Sequence, residues 1–329
     1  MMAAVSVIIL TWNGRQFLEG CFDCLAGQTF RDFETILVDN GSTDGSAAYV
    51  REHYPWARLV SLPANAGFSE GNNRGLAECH GRYIVTLNND TKVGPTFLAE
   101  LVRAAEADPQ VGMVAAKMLN FHETGRIDSV GIRATTAGLG VNRGVGETDR
   151  GQYDIPGEVF GPCAGAALYR RAMLGEIGFF DPDFFAYYED LDLAWRGRLA
   201  GWKSVTSPSA VAYHVHSATC GRMSPFTVYH VHRNKWFVLL KNWPASLLAR
   251  HLPRIMAYDA ASLLLAILRG RLLPALRARR DVLRALPGLL RKRRQIARQR
   301  KIPVSMAASL LADGGSPLKT FARKMGSGV

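Results

Sequence analysis

Three polar residues, Asn88-Asn89-Asp90, end an apolar stretch that starts at Tyr83. Carboxylate and carboxamide oxygens are ligands that Mg²⁺ or Mn²⁺ takes from proteins. A cation held by them can in turn bind the oxygens of a diphosphate. Asn and Asp are also common turn residues after a strand. The stretch alone therefore predicts either a divalent-cation site or a plain turn.

A second set of reactive side chains is the acid pair Glu189-Asp190, which follows the aromatic-rich run Phe184–Tyr188. Acids are common in the first turn of a helix because they complement the helix dipole. Aromatic neighbours also exclude water, and desolvation raises the pKa of a carboxyl group towards neutral pH. A carboxylate in this setting can act as a general base that takes the proton of an attacking hydroxyl group.

Strand and helix patterns alternate four times before residue 90, and these elements must position the side chains. Apolar, β-branched runs typical of buried strands cover Val5–Leu10, Phe33–Val38, Ala57–Leu62 and Tyr83–Leu87. The alternation predicts an α/β fold with a mainly parallel, doubly wound sheet. Right-handed crossovers then bring the carboxyl ends of the strands to one edge. The polar residues expected at this edge are Thr11, Asn13, Asp39, Asp44, Asn65 and Asp90.

Polar side chains at this edge suit hydrogen bonds to a nucleobase or a ribose diol. The sequence has no G-x-G-x-x-G and no P-loop lysine, which argues against a dinucleotide or ATP phosphate cradle. Each residue also has a simpler explanation, because Asp39 to Ser42 can cap the next helix and Asn65 with Gly67 can form a turn.

Four motifs together resemble family 2 glycosyltransferases with the GT-A fold, most closely the bacterial rhamnosyltransferase-like and galactofuranosyltransferase-like branch. The motifs are Val7–Asn13, Val38–Ser46, Asn65-x-Gly67-Phe68 and Leu87–Thr91, and the resemblance extends from about Val5 to about Pro244. It implies a Rossmann-like, mainly parallel sheet. It also implies inverting transfer of a sugar from a nucleotide-diphosphate donor to a saccharide or lipid-linked acceptor, in cell-surface polysaccharide synthesis.

The resemblance further implies roles for individual side chains. Asp90 matches the metal-binding member of the family's D-x-D motif, whereas Asn88 stands where many members carry the first Asp. His214, or less well His216, matches a histidine that completes the shell of Mg²⁺ or Mn²⁺. The donor-binding residues that it implies are Thr11, Asn13, Asp39, Asp44, Asn65, Asn72, Asn73, Asn89 and Arg233, the last beside the leaving diphosphate.

By the same match, Asp190 is the general base and Glu189 binds or orients the acceptor, with the reverse assignment still open. Two other functions also stay open: a non-catalytic nucleotide-sugar-binding scaffold at the membrane, and a nucleotidyltransferase. The acid pair and Asp90 argue against a scaffold. A nucleotidyltransferase would need a Gly-rich loop with Arg or Lys after the first strand, where this chain has Thr11–Gly14.

Positive charge is concentrated near the carboxyl terminus. The formal net charge is +12, and residues 269–301 alone hold 13 Lys or Arg against one acid. Leu-rich turns alternate with these basic turns, which predicts amphipathic helices on an anionic membrane surface, with no nucleic acid as partner. The alternative is a helical unit packed on the main domain with a solvated basic face. The apolar run Ala260–Leu268 is too short to span a bilayer.

The predicted organisation is a GT-A domain over residues 1–244, a basic helical extension over 245–313 and a disordered tail over 314–329. Residues 120–157 show no clear period and predict a mobile loop over the donor site or, alternatively, an irregular hairpin. Five cysteines form no recognisable disulfide framework. We therefore expect a cytoplasmic protein that lies peripherally on the inner face of the cell membrane.

Overall fold

A mainly parallel sheet lies at the centre of the computed structural model, which describes residues 3–215 and 224–315. The strands are β1 Val5–Thr11, β2 Phe33–Asp39, β3 Arg58–Ser61, β4 Tyr83–Asn88, β5 Thr91–Val93, β6 Val111–Asn120, β7 Ile127–Ser129, β8 Ile132–Ala134, β9 Gly140–Asn142, β10 Ala166–Arg170 and β11 Lys203–His214. The helices are α1 Arg15–Ala26, α2 Ser46–His53, α3 Gly67–Ala77, α4 Phe97–Glu106, α5 Arg171–Ile177, α6 Glu189–Leu199, α7 Pro225–Asn242, α8 Ala245–Leu268, α9 Leu272–Gln299 and α10 Val304–Ser309.

The predicted alternation of strands and helices is confirmed in the first ninety residues. β1 to β4 run parallel in the order β3-β2-β1-β4, so their carboxyl ends meet at one edge. Alternate side chains of β1 pack into different hydrophobic clusters, with Val7 and Ile9 in one and Ile8 in the other. This burial on both faces explains why the first strand is an unbroken apolar run. α3 begins at Gly67, directly after the loop that follows β3.

The second half of the sheet brings two further strand ends to the same edge. β10 lies antiparallel between β4 and β6, whereas β11 is parallel to β6 and antiparallel to β5. The register pairs His214, the last residue of β11, with Thr91, the first residue of β5. Asn88 at the end of β4, Asp90 and His214 therefore become neighbours although 124 residues separate the last two in the chain.

The segment between β6 and β10 forms the irregular hairpin that was the alternative to a mobile loop. β7 pairs antiparallel with β6, and β8 pairs antiparallel with β9. Ile127 and Val130 are buried against Leu119. Because successive strand residues face opposite sides, Asp128 points away from Ile127 and towards His214 at the sheet edge.

The helices that follow residue 244 share a hydrophobic core with the main domain. Trp243 packs against Trp195 on α6, with ring centroids 5.6 Å apart. Lys292 on α9 bonds the Asp181 carboxylate before α6 at 2.7 Å. The predicted boundary at residue 244 thus falls between α7 and α8, inside one continuous core. The residues that α8 and α9 add to this core include Leu247, Ile255, Val282, Leu289 and Ile296.

Within the described parts of the chain, α8 alone is long and apolar enough to cross a membrane. One such helix is weak evidence, because a core helix meets the same test, and α8 buries Leu247 and Ile255. Of the predicted disordered tail, only Gly314 and Gly315 are described, and the Gly314 N–H donates to Thr136 Oγ1 at 3.1 Å. The rest of that prediction, like the alternative metal ligand His216, lies outside the described residues.

Candidate active site

A cavity of about 950 Å³ opens at the carboxyl edge of the sheet, beside the start of α6. Such a concave site, apolar with a few converging polar groups, is typical of ligand pockets. Aromatic rings from distant parts of the chain line it, among them Trp12, Phe185, Tyr187 and Phe226. The predicted site residues that the structure brings together in its wall are Asn65, Asn88, Asn89, Asp90, Glu189, Asp190 and His214.

His214 lies between two carboxylates on one side of the cavity. Its Nε2 is 3.3 Å from Asp90 Oδ1 and 3.3 Å from Asn88 Nδ2, and its Nδ1 is 2.7 Å from Asp128 Oδ2. Burial by itself would lower the pKa of His214. Hydrogen bonds to Asp128 and Asp90 outweigh burial and raise this pKa to about 9. The structure thus joins the three predicted metal-site residues and adds Asp128.

The donor set at this edge fits a hard cation that arrives together with a diphosphate. Asp90 offers a carboxylate, His214 offers Nε2 once a cation displaces its proton, and Asn88 offers a carboxamide oxygen once its amide is rotated. Among the described residues, no group of three or more His, Cys, Asp or Glu side chains is arranged to hold a metal. Mg²⁺ beside phosphates commonly takes one or two carboxylates, phosphate oxygens and water instead of an all-protein cage. The residues therefore suit a shared metal site.

The two acids that begin α6 differ in charge state. Desolvation by burial raises the pKa of Asp190 to about 6, although backbone hydrogen bonds from Leu191 and Ala164 oppose the rise. Burial, followed by the charge of Asp190, raises the pKa of Glu189 well above its usual range. Glu189 Oε2 is buried and has no hydrogen-bond partner among the described residues. Burial therefore favours the protonated form of Glu189, whereas backbone hydrogen bonds support the charged form of Asp190.

Carboxamides tie together the loops that follow β2 and β3. Asn40 Nδ2 donates to Asn65 Oδ1 at 3.0 Å, and Asn40 Oδ1 accepts from the Ala66 N–H at 2.9 Å. Asn65 Oδ1 also accepts from the Gly67 N–H at 2.9 Å. Gly67 has φ +86°, and a Cβ there would lie 2.6 Å from the Phe185 ring. The cavity wall therefore requires glycine at this point.

Four residues predicted to bind the sugar donor lie behind the cavity wall, where their side chains hold its loops. Thr11 Oγ1 is buried and accepts from Asn89 Nδ2 at 2.9 Å. Asn13 Oδ1 accepts from a backbone N–H of the loop after β2 at 2.8 Å. Asp39 Oδ1 caps the same loop at 3.1 Å, and Asp44 Oδ2 accepts from the first N–H of α1 at 2.8 Å. Their side chains shape the edge from behind.

Three residues predicted to bind the sugar donor, Asn72, Asn73 and Arg233, are not among the residues that line the cavity. Asn72 is buried within α3, and its Nδ2 donates to the Phe68 carbonyl at 2.9 Å. Asn73 Nδ2 donates to the Phe180 carbonyl at 2.9 Å. Arg233 Nη2 donates to two backbone carbonyls before α6, at 2.7 and 2.8 Å. Backbone carbonyls of the protein already occupy these donors.

An aromatic loop, Phe184–Tyr188, leads into the acid pair in a strained conformation. Phe185, Tyr187 and Tyr188 have φ values of 63°, 68° and 71°, which cost L-residues about 1–2 kcal/mol each. Asn234 Nδ2 on α7 lies 2.7 to 2.9 Å from three carbonyls of this loop. The contact compensates for the strain and fixes the rings that face the cavity. Strain held in this way is typical of functional sites.

Sequence reasoning assigned no role to three residues that the geometry makes central, namely Asn40, Asp128 and Asn234. Asn40 lies inside the Val38–Ser46 motif, and Asn234 lies within the range that the family resemblance covers. Neither observation shows which partner a carboxamide bonds. The signal for Asp128 is weaker, because only the apolar–polar step from Ile127 indicates a short strand. Its partner His214 is 86 residues away.

The family profile described as "Glycosyl transferase family 2" matches residues 6–178, more than half of the chain. The chain belongs to glycosyl transferase family 2. The family recognised from the motifs is thereby confirmed, and this glycosyltransferase is an enzyme rather than a scaffold or a nucleotidyltransferase. The matched segment includes Asp90, whereas the acid pair and His214 lie beyond it.

Curated relatives of this glycosyltransferase support the rhamnosyltransferase-like branch. An N-acetylglucosaminyl-diphospho-decaprenol L-rhamnosyltransferase of Mycobacterium tuberculosis is 27% identical over 264 residues, covering 73% of this chain and 85% of the relative. The uncharacterised glycosyltransferase YibD of Escherichia coli is 38% identical over 125 residues, covering 37% of this chain and 36% of its own.

Solved structures similar to this glycosyltransferase confirm the GT-A fold. The mannosyltransferase PcManGT from Pyrobaculum calidifontis, solved with GDP-Man and Mn²⁺, has a TM-score of 0.55 and 20% identity, over 91% of this chain and 86% of its own. GalNAc-T7, solved with UDP, GalNAc and Mn²⁺, has a TM-score of 0.63 and 16% identity, over 79% of this chain. This chain spans 51% of that second protein.

Proposed function

We propose that this glycosyltransferase takes a sugar from a nucleotide-diphosphate donor and passes it, with inversion, to a lipid-linked saccharide in cell-surface polysaccharide synthesis. One observation carries the proposal: a single cavity holds a cation-binding edge, Asp90 with His214, and a desolvated carboxylate, Asp190. Inverting transfer needs a positively charged group that stabilises the negative charge of the leaving diphosphate. It also needs one base that takes the proton of the acceptor hydroxyl. The cavity holds residues suited to both requirements.

On the donor side, Asp90, His214 and a rotated Asn88 carboxamide would hold Mg²⁺ or Mn²⁺. The cation, when bound, neutralises charge that develops on the diphosphate leaving group. The two similar solved structures described above contain Mn²⁺ together with a nucleotide or a nucleotide sugar, which supports this assignment. Asn65, fixed by Asn40, presents the neighbouring wall to the nucleoside.

On the acceptor side, Asp190 is the group that takes the proton. One of its oxygens accepts from the Leu191 N–H at 2.7 Å, and the remaining lone pairs are available to an acceptor hydroxyl. The acceptor oxygen bonds to the anomeric carbon while its proton passes to Asp190. The bond from that carbon to the diphosphate oxygen breaks at the same time, and attack from the opposite face inverts the configuration.

Glu189 is better suited to bind the acceptor than to deprotonate it. Its raised pKa favours the protonated form, which can donate a hydrogen bond but is not a base. Oε2 lacks a hydrogen-bond partner among the described residues, and leaving such a buried atom unpaired costs about 1–3 kcal/mol. An acceptor hydroxyl bound there would remove this cost. The charge states therefore favour Asp190 as the base.

A small apolar groove supports a lipid-linked acceptor. Phe226 lines both the cavity and this groove of about 380 Å³, to which Leu273 and Arg277 also contribute. Leu273 is 79% exposed, so the groove opens at the outer face of α9. An apolar channel with one arginine suits a prenyl chain that carries a phosphate. The name of the rhamnosyltransferase relative includes diphospho-decaprenol.

The outer face of α9 supports the inner surface of the cell membrane as the place of action. Leu276 and Leu283 on this face are 46% and 72% exposed, and Leu273 continues the apolar stripe. Arg280 lies between Leu276 and Leu283 in the sequence, Arg284 follows Leu283, and both arginines are exposed. Apolar side chains that alternate with arginine bind the boundary of a bilayer with anionic lipids.

The deciding experiment uses the purified full chain with UDP-, GDP- and dTDP-sugars, Mn²⁺ and a lipid extract as acceptor. One donor should raise the thermal midpoint, and NMR of the product should show an inverted anomeric centre. Asp190→Asn should keep the donor-induced shift while transfer falls by about 10²–10⁴-fold. The control Asp183→Asn changes an exposed acid of the same segment and should stay active. Full turnover by Asp190→Asn would refute the base assignment, and no stabilisation by any donor would refute the donor class.

A further inference from the structure

We infer that Asp128 is a positioning residue, which holds His214 in the orientation that the cation site requires. The inference rests on the proposed metal site and adds a residue that no motif marks. The Asp128 side chain is only 6% exposed and lies within the wall of the cavity. Its Oδ2 is 2.7 Å from His214 Nδ1, on the side of the ring away from Asp90.

The local fold aims Asp128 at this ring. β7 pairs with β6, and Ile127 packs with Leu119 and Val130 on one side of the strand. The alternation along the strand turns Asp128 to the other side. His214 is the last residue of β11, which is also held against β6. Both side chains are therefore fixed by neighbouring strands of one sheet and meet without a mobile loop between them.

The contact selects which nitrogen of the imidazole ring faces the cavity. A carboxylate that accepts the Nδ1–H leaves Nε2 as the metal-facing nitrogen and increases its basicity. Nε2 already lies 3.3 Å from Asp90 Oδ1, beside Asn88. Loss of Asp128 would remove the contact to Nδ1 that fixes the tautomer, and cation binding would then have to select the tautomer as well.

An ordinary buried ion pair is the competing explanation, and the surroundings of Nε2 argue against it. A pair that served only stability would not have to lie where a ligand can reach it. Here Asp90 is 3.3 Å from His214 Nε2, Asp128 is 2.7 Å from Nδ1, and all three residues line the cavity. Removing a carboxylate that orients a metal-binding histidine typically weakens metal affinity by 10–100-fold.

The test titrates the full chain with Mn²⁺ in the absence of any sugar donor. The EPR signal of the free ion reports how much Mn²⁺ stays unbound. Asp128→Asn keeps the size of the side chain and should weaken Mn²⁺ binding by roughly tenfold or more. Pulsed EPR should also show a reduced ¹⁴N coupling from the coordinated imidazole. Asp149→Asn is the matched control, because this partly buried acid pairs with Lys117 at 2.5 Å and does not contact His214. It should bind Mn²⁺ like the wild type.

Two further variants separate this inference from the proposed function. Asp90→Ala should abolish Mn²⁺ binding, and Asp128→Asn should have no additional effect on a His214→Ala background, because it acts through that ring. Wild-type affinity in Asp128→Asn, with binding lost in Asp90→Ala, would overturn the inference while the metal site stands. Unchanged binding in Asp90→Ala, or none by the wild type, would remove the metal site and this inference together.

Discussion

At the scale of single residues, the two acids at the start of α6 share one buried environment but differ in how far it raises the pKa of each. Both are desolvated, but Asp190 receives backbone hydrogen bonds that stabilise its charge, whereas Glu189 Oε2 has no partner among the described residues. Neighbouring carboxyl groups whose pKa values differ divide into an acid and a base. The sequence predicted the pair and its aromatic setting, but only the burial of each oxygen distinguishes their roles.

The pKa of Asp190, about 6, predicts the pH dependence of transfer. Below that pH the carboxyl group binds a proton and cannot accept one, so the rate at saturating donor and Mn²⁺ should fall about tenfold per pH unit towards pH 5. Above pH 7 this dependence should vanish. Glu189→Gln should keep the same acidic limb, because its neutral amide resembles the protonated acid. A flat profile between pH 5 and 7 in the wild type would contradict the prediction.

Asn88 predicts a gain of metal affinity by substitution. Asn88→Asp adds a charge beside Asp90 and His214, and cation affinity rises with ligand charge. Mn²⁺ should bind roughly tenfold more tightly and raise the thermal midpoint further than in the wild type. The metal-free variant should be less stable, because two carboxylates then repel each other.

Asn65→Asp is the control for Asn88→Asp. It adds the same charge to the cavity and preserves both hydrogen bonds that Oδ1 accepts. Thermal shift against Mn²⁺ concentration compares the two variants. An unchanged Mn²⁺ dependence in Asn88→Asp would show that position 88 does not contact the cation.

At the scale of elements, the site is a strand edge closed by one strained loop. The edge was predictable because apolar periodicity in β1 to β4 is local and right-handed crossovers fix where the strands end. The positions of Asn73 and Arg233 were not predictable. Asn73 bonds a carbonyl 107 residues away and Arg233 bonds one 50 residues away. A family motif records such residues without showing whether they face a ligand or a carbonyl.

The aromatic loop predicts a large effect of Asn234 on the acid pair. Asn234→Ala removes the amide that bonds three carbonyls of the loop. It should lower the free energy of unfolding by about 1–3 kcal/mol, because buried acceptors lose their donor. The rate of transfer should fall by more than the loss of folded protein explains, because the loop leads into α6 and so positions the acid pair. Denaturant unfolding and transfer assays at one temperature measure both.

Asn142→Ala is the control for Asn234→Ala, because its side chain makes one long contact, at 3.5 Å, to a carbonyl near the cavity. It should change stability by less than 1 kcal/mol. Wild-type stability and activity in Asn234→Ala would show that the loop keeps its conformation without the amide.

At the scale of the whole molecule, the basic helices are both packed and exposed. One face of α9 enters the core through Leu289 and Ile296, and the opposite face carries exposed leucine and arginine. The sequence predicted the amphipathic pattern but left two arrangements open, a membrane-bound helix or a unit packed on the domain. A periodic pattern shows that two faces exist but does not identify what covers each one.

The exposed face predicts selective binding to anionic vesicles. The full chain should bind phosphatidylglycerol vesicles and bind phosphatidylcholine vesicles much less, with affinity falling as salt rises. Replacing Arg280 and Arg284 by Gln should weaken binding by roughly tenfold or more. Gln at Arg51 and Arg82 removes the same charge elsewhere and should have little effect. Cosedimentation measures the binding of the wild type and of both double variants to each kind of vesicle. Equal binding of the wild type to both lipids would count against a membrane role.

The bonds that Lys292 and Asn234 make to the segment before α6 also set an order of events during synthesis. The edge that β1 to β4 share can form early, because all four strands lie before residue 90 and pair with one another. The aromatic loop cannot be fixed until Asn234 emerges, and Asp181 gains its second lysine only with Lys292, 111 residues later. The segment that leads into the acid pair is thus fixed only once α9 has been made. Under the proposed membrane role, a nascent chain would acquire its chemistry only when its means of reaching the bilayer is present.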